Sequence, residues 1–331
     1  MPIVTQADWL AFAAHHPQAH LLQSAAWGEL KSEFGWRTTH ILAGESGVQV
    51  LTRSLPLGFS LAYIPKGPVG GNWDALWPEI DHLCRSSRAV FLKVEPDHWV
   101  TSKTEDTNIL PNEFRPSRHS IQPRRTVVVD LSPDEDAILA IMKQKTRYNI
   151  RLAQRKDVEV RATDDIDAFY EMMTVTGQRD GFGVHTKAYY QRAYDLFHPL
   201  GMCELLLAEY QGQPLAGLMA FASGPRSWYL YGASTNQERN RMPTYLLQWA
   251  AMRWAKSKGC TEYDLYGVPD EDQTTLEENF TQRSDGLWGV YRFKRGFGGE
   301  LKRAVSAFDK VYIPWAYWGY QAIVARRGLG D

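Results

Sequence analysis

Lys143, Arg147, Arg151 and Arg155 stand four residues apart in MKQKTRYNIRLAQRK. On a helix that spacing lines four cations along one face. Like charges at i,i+4 oppose a helix by about 0.2–0.5 kcal/mol per pair, so the row needs acids from elsewhere or a polyanionic ligand to offset it. Lys145 and Lys156 add charge beside it, and the nearest acid, Asp157, comes only after the row. A solvated face paired to distant acids is one reading; a surface for a phosphate-rich partner fits the local charge better. Other chemistry is missing by pattern: no Walker loop, no G-x-S-x-G and no H-E-x-x-H occurs. His15 and His16 are adjacent, so on a helix they diverge and chelate poorly. Cys84, Cys203 and Cys260 are odd in number and far apart, which suggests small buried residues rather than disulfides or zinc ligands. No metal and no cofactor are expected.

The elements that must position these residues alternate between helical and strand patterns. Ser24 caps a helix running to Phe34, and short β-branched or aromatic runs follow at 39–42, 48–53, 60–64 and 89–94, with a helix expected over Asp74–Arg85. A strand at Thr126–Leu131 and two helices lead to an apparent restart: a strand at 158–162, two helices, three strands at 204–210, 213–222 and 227–231, a long helix from Thr244 to Ser257, and a strand at 262–266. Pro243 ahead of that long helix and Gly259 behind it are the expected punctuation. Within WYLYGAS, strand alternation places Tyr229 and Tyr231 on one face. The fold class is α/β (α+β): two tandem N-acetyltransferase-like (GNAT) domains, 1–150 and 151–331, with segment 311–331 packing back on the first. That assignment rests on analogy in element order.

Composition sets outer limits. At 331 residues and 44% hydrophobic, the chain has room for two cores. A net charge of −1 argues against a general nucleic-acid coat and leaves only local basic patches. The N-terminus lacks a basic segment followed by a long apolar one, and no run approaches the roughly 18 apolar residues of a span, so a cytoplasmic protein is expected. A coenzyme A enzyme of this fold would carry a glycine-rich turn before the long helix to admit a pyrophosphate. Here the turn reads QERNRMPTYLL, with Asn240 and Met242 where small residues belong.

Six segments, in order, resemble the FemABX peptidyltransferases: LLQSAAWGELKSEFGW, AYIPKGPVGG, FLKVEPD, KQKTRYNIRLA, WYLYGAS and YRFKRGFGGE. They span nearly the whole chain. The resemblance implies transfer of an amino acid from aminoacyl-tRNA to the side-chain amine of a muramyl-pentapeptide precursor, lipid-linked or UDP-linked. It also implies roles. Lys31 matches a lysine at the acceptor's diphosphate; Arg179, Tyr189 and Tyr190 fall in a region that grips the same acceptor; Tyr229 or Tyr231 matches a strand tyrosine facing it. Phe293 and Lys294 match the reaction centre, with Lys294 stabilising the charge that develops as the ester is attacked. Asp97, with Glu95, is a candidate base in KVEPD. The long heptad arm of larger members is absent, leaving Lys143, Arg147, Arg151 and Arg155 as the tRNA surface. The aromatic segment ending in Arg326 and Arg327 reads as a packed helix or as a peripheral contact with the inner membrane leaflet. Two rivals stand beside this reading: a coenzyme A-dependent N-acyltransferase, and a non-catalytic tRNA-binding or precursor-binding protein.

Overall fold

The computed structural model describes residues 2–101 and 109–326; the side chains of Ala325 and Arg326, and Arg327 altogether, lie outside the described residues. The chain divides into two compact units, one formed by Met1–Arg124 with Arg303–Asp331 and the other by Arg125–Lys302. A boundary near residue 150 therefore gives way to one at 124, and the chain returns to the first unit at its end. The reason is strand pairing. Which sheet takes up a lone strand is decided by a distant partner, and the strand's own residues do not name it.

In the first unit, β1 (Ile3–Val4), α1 (Gln6–Ala14), α2 (Ala25–Glu33), β2 (Arg37–Ala43), β3 (Ser46–Ser54), β4 (Ser60–Pro65), α3 (Trp77–Ser86), β5 (Ala89–Glu95) and β6 (Arg115–Pro116) precede the excursion. The second unit holds β7 (Arg125–Asp130), α4 (Glu135–Ile141), α5 (Gln144–Arg155), β8 (Glu159–Thr163), α6 (Ile166–Asp180), α7 (Lys187–Phe197), β9 (Cys203–Tyr210), β10 (Gln213–Ser223) and β11 (Arg226–Ser234). It continues with α8 (Pro243–Ser257), β12 (Glu262–Asp264), α9 (Gln273–Asn279), α10 (Trp288–Lys294) and β13 (Glu300–Arg303); β14 (Phe308–Val311) and α11 (Pro314–Arg326) then rejoin the first unit.

The two sheets follow one plan. The first runs β1-β2-β3-β4-β5-β14-β6 and the second β13-β7-β12-β11-β10-β9-β8. Each holds one parallel pair with a helix in the crossover, β4 with β5 across α3 and β11 with β12 across α8, and the strands β1 to β4 and β8 to β11 pair antiparallel in order. Beside its parallel pair each sheet takes an antiparallel strand that is not its neighbour in sequence, β14 beside β5 in the first and β7 beside β12 in the second. This is the tandem GNAT-like α/β architecture.

Two buried polar networks fix the first unit. Gln23, ahead of α2, donates to the Pro65 carbonyl at 2.7 Å and accepts from the Gln49 amide at 2.8 Å, tying that helix to β3 and β4. A side chain at Gly28 would lie 2.3 Å from Gln49 Oε1, so this glycine lets α2 approach the sheet closely. The second network docks β14. Asp309, wholly buried, pairs with Lys93 of β5 at 2.9 Å and accepts from Ser117 at 2.7 Å and from Tyr317 of α11 at 2.9 Å. Removing one partner of a buried ion pair leaves the other uncompensated. Asp309→Ala is accordingly expected to lower unfolding free energy by about 3–5 kcal/mol in urea titrations. Cutting the exposed Arg161–Glu209 pair costs less than about 1 kcal/mol by the same assay. Similar losses from both would contradict this account of how the C-terminus is held.

Candidate active site

β11 and β12 pair only from Arg226 with Glu262 to Trp228 with Asp264. β11 continues to Ser234, whereas the other chain turns away through Tyr266 and Gly267, both in left-handed backbone with φ of 53° and 65°. Lys294, the last residue of α10, reaches this divergence. Its ammonium donates to the carbonyls of Tyr266 and Gly267, the latter at 2.8 Å, and lies 5.6 Å from the centre of the Tyr229 ring. An ammonium carries three hydrogens, so one remains for another acceptor. Burial holds the lysine down to about 7 from its ordinary 10.5, and the nearby Asp264 carboxylate opposes that shift. Asp264 is a residue that sequence reasoning missed. Its Oδ1 accepts from the Thr126 hydroxyl of β7 and, at 2.8 Å, from the Tyr266 amide, fixing the turn whose carbonyls receive Lys294. An acid at a strand end followed two residues on by a left-handed turn was the available signal.

The glycines after Lys294 explain themselves locally. A side chain at Gly296 would meet Thr146 Oγ1 at 2.3 Å, and one at Gly299, where φ is +94°, would meet the Val128 carbonyl at 2.5 Å. The Lys143 amide donates to the Gly296 carbonyl at 2.9 Å, so the start of α5 is fastened to the end of α10. Phe293 packs between Tyr245 and Phe297, each with ring centres 5.0 Å away.

Tyr229 and Tyr231 do not share a face. Met219 of β10 opposes Tyr231 while the next residue, Ala220, opposes Tyr229, leaving Leu230 as an extra residue in β11. This β-bulge resets the alternation. Tyr229 lies on the α8 face, hydrogen-bonded to Gln248, with its ring over Gly232, where any side chain would collide with it. Tyr231 lies on the other face, within 3.3 Å of the Tyr189 hydroxyl and with Tyr190 5.3 Å away. Burial pushes Tyr189, Tyr190 and Tyr229 up to about 12, so all three remain neutral hydroxyls. Tyr190 is core, 1% exposed, and its hydroxyl accepts from the His185 amide at 3.3 Å; the His185 ring stacks on Tyr189 at 3.9 Å, another contact unread in the sequence. Arg179 is bound bidentately to Asp180 and donates to the Ser234 carbonyl at 3.1 Å, bracing the end of β11.

The basic row is altered by folding. Lys143 is the N-cap residue of α5, 3.7 Å from Glu277, and the Arg147 guanidinium turns back to the carbonyls of Leu139, Ala140 and Met142 at the end of α4. Arg147 thus leaves the row, because a helix end offers it unsatisfied acceptors. Arg151 stays exposed, and Arg155 sits over the exposed Tyr148 ring at 5.6 Å.

Ahead of α8, the Arg241 and Met242 amides are spent on the carbonyls of Glu238 and Arg239, and Pro243 has none to give. Two of the amides that could face a pyrophosphate in that turn are thereby taken.

In the first unit Lys31, on α2, lies 4.6 Å from the centre of the Trp27 ring and is lowered to about 8, first by burial and then by the charge of Arg53. Arg53 in turn rests over Trp36 at 5.7 Å. Glu95 is consumed structurally, accepting from the Tyr63 hydroxyl and from the amides of Ile121 and Gln122. Asp97 lies just past the end of β5, half-buried.

The depressed Lys294 makes stability pH-dependent. Between about 7 and 10.5 the unfolded chain binds a proton that the folded chain does not, so stability rises with pH across that window and the full penalty is present below it. Urea midpoints measured from pH 7 to 10 should climb in the wild type and flatten in Lys294→Met. Parallel curves would remove the buried lysine from this account.

The FemAB family model matches residues 4–118, 114–211 and 200–324. Lipid II:glycine glycyltransferase of Staphylococcus aureus (strain USA300) is 26% identical, covering 93% of this chain and 92% of its own length. That alignment runs over 395 positions, more than this chain's 331 residues, so the relative carries residues that have no counterpart here. The crystal structure of FemX superposes with a TM-score of 0.82 at 24% identity over 95% of this chain and 98% of its own. L-PGS from Bacillus licheniformis shares the fold more distantly, with a TM-score of 0.59 at 11% identity over 98% and 97% of the two chains. With its six ordered segments, its paired sheets and a family model matched along almost its entire length, this chain belongs to the FemAB family.

Proposed function

We propose that this protein transfers an amino acid from aminoacyl-tRNA to the side-chain amine of the stem peptide in a peptidoglycan precursor, and so takes part in building the interpeptide bridge. The observation that carries the reading is Lys294: a buried lysine whose protonated form, present below and around pH 7, fixes two hydrogens on backbone carbonyls and keeps a third, in a family whose S. aureus relative is a lipid II:glycine glycyltransferase. The acceptor amine attacks the ester carbonyl, a C–N bond forms, and the C–O bond to the ribose breaks as that oxygen leaves with a proton. Lys294 directs its remaining hydrogen to the oxygen on which charge accumulates. No enzyme nucleophile is required, because the ester is already activated.

Burial beside the Tyr229 ring gives the lysine weakly polar surroundings, which strengthen its field, while Phe293, on the same helix as the lysine, packs with Tyr245. Lys31 serves the acceptor diphosphate together with Arg53: two cations whose mutual repulsion an anion would relieve. Tyr189, Tyr231 and Arg179 line the acceptor side, with Tyr190 and His185 supporting them from beneath. Asp97, just past the end of β5, is the candidate base. Lys143, Arg151 and Arg155, with Tyr148 among them, offer charge and a stacking surface to the tRNA, whereas Arg147 acts by holding the helix that carries them. The spent amides before α8 speak against coenzyme A as donor.

Radiolabelled aminoacyl-tRNA should lose its amino acid to a muramyl pentapeptide, lipid-linked or UDP-linked, in the presence of enzyme. Lys294→Met should lower kcat by about 10²–10³ while the fold survives, and Lys31→Met should raise KM for the acceptor about tenfold with kcat little changed. Unchanged turnover in the first variant would take Lys294 out of the chemistry; tRNA binding without any transfer would favour a non-catalytic role.

A further inference from the structure

α11 is 13 residues long and reads PWAYWGYQAIVAR. Its buried side is formed by Tyr317 and Gln321, while Pro314, Trp315, Trp318, Gly319, Ala322 and Ile323 all face solvent. These six fall within one half of the helix wheel, and none carries a charge or a hydrogen-bonding side chain other than the indoles. Trp315 is 67% exposed, Trp318 55% and Ile323 54%, the reverse of what a surface helix ordinarily presents. The apolar area extends beyond the helix: Trp315 meets Phe59 edge-on at 5.5 Å, and Leu57, at the tip of the same β3–β4 loop, is 83% exposed. Contiguous exposed apolar surface of this kind marks an interaction site.

The rim decides the partner. Arg88 lies over Phe59 at 4.8 Å, and Arg115 and Arg118 each lie 5.9 Å from the Trp318 ring; all three arginines are exposed. Arg53, also exposed, acts on Tyr320 of the same helix. A second copy of this face would bring the same arginines against one another, whereas an anionic lipid surface supplies the opposite charge. Indole rings with an apolar body and one N–H also suit the headgroup boundary. Among the described residues no helix is long and apolar enough to cross a membrane, so the helix would lie on the surface rather than span it.

We infer that α11 and the β3–β4 loop form a docking face for anionic lipid, with Leu57, Trp315, Trp318 and Ile323 entering the headgroup boundary and Arg88, Arg115 and Arg118 meeting the lipid charge. The face is defined by exposure and charge in the first unit alone and does not depend on the transfer reaction.

Co-sedimentation of the full chain with vesicles tests it without reading any activity. Vesicles of equal parts phosphatidylcholine and phosphatidylglycerol should carry the wild type down, and phosphatidylcholine alone should carry much less. Molar salt should release the charge-dependent part. Trp315→Ser/Trp318→Ser should reduce partitioning at least tenfold, and Trp315→Phe/Trp318→Phe should restore most of it, which a general folding defect would not. Arg118→Gln should reduce it about fivefold on anionic vesicles only. Thermal melting of each variant confirms the fold. Equal recovery of wild type and the serine variant, or no recovery of the wild type, would overturn the inference. Concentration-dependent dimerisation abolished by the same serine substitutions would assign the face to a second copy instead.

Discussion

Everything at the candidate centre depends on keeping one ammonium group out of bulk water without leaving it unsolvated. Two carbonyls, those of Tyr266 and Gly267, replace part of the water that Lys294 gives up. They can do so only because the chain leaving β12 adopts a left-handed turn, which Asp264 pins through the Tyr266 amide and Thr126 pins through Asp264. The lysine itself is delivered by α10, which stops at that residue and is followed by glycines pressed against Thr146 and the Val128 carbonyl. A chain of short contacts thus runs from β7 and α5 to the Lys294 ammonium. A loose turn would either admit water or leave the cation unpaired in apolar surroundings, and both outcomes are costly.

The parallel pair creates the room. In each unit a crossover helix makes one parallel pairing beside a run of antiparallel strands, and in the second unit the partners separate after three residues. The bulge at Leu230 falls in the segment of β11 left without its β12 partner and sends Tyr229 and Tyr231 to opposite faces. One bulge therefore lets consecutive tyrosines of a single strand serve two environments, one beside Lys294 and one beside Tyr189 and His185. The first unit carries the plan without this divergence into chemistry. It bears instead the neighbouring cations Lys31 and Arg53 and the apolar face of α11, and β14 is held in its sheet through the buried Asp309.

Much of this was legible. Periodicity and punctuation fixed the long helix behind Pro243 and the strands at 204–210 and 213–222 on either side of a tight turn. The helix expected over Asp74–Arg85 begins only at Trp77, because Pro78 suits the first turn better than Asp74 suits a cap. The four-residue spacing of the basic row survives in α5, yet Arg147 leaves it for the carbonyls of α4. A helix wheel shows which residues share a face and is silent about acceptors brought alongside by another helix.

The sequence by itself determined the element order, the duplicated α/β plan and, through six ordered segments, the family. These are local or cumulative properties, written in propensities and in the spacing of particular residues. Tertiary structure alone decided that β7 and β14 exchange the sheets their positions suggest, that Tyr229 and Tyr231 part company, that Asp264 supports Lys294, and that α11 turns its tryptophans outward. Each of those depends on pairing or burial between residues far apart in the chain, and the energy of such a contact is set by the neighbour as much as by the residue.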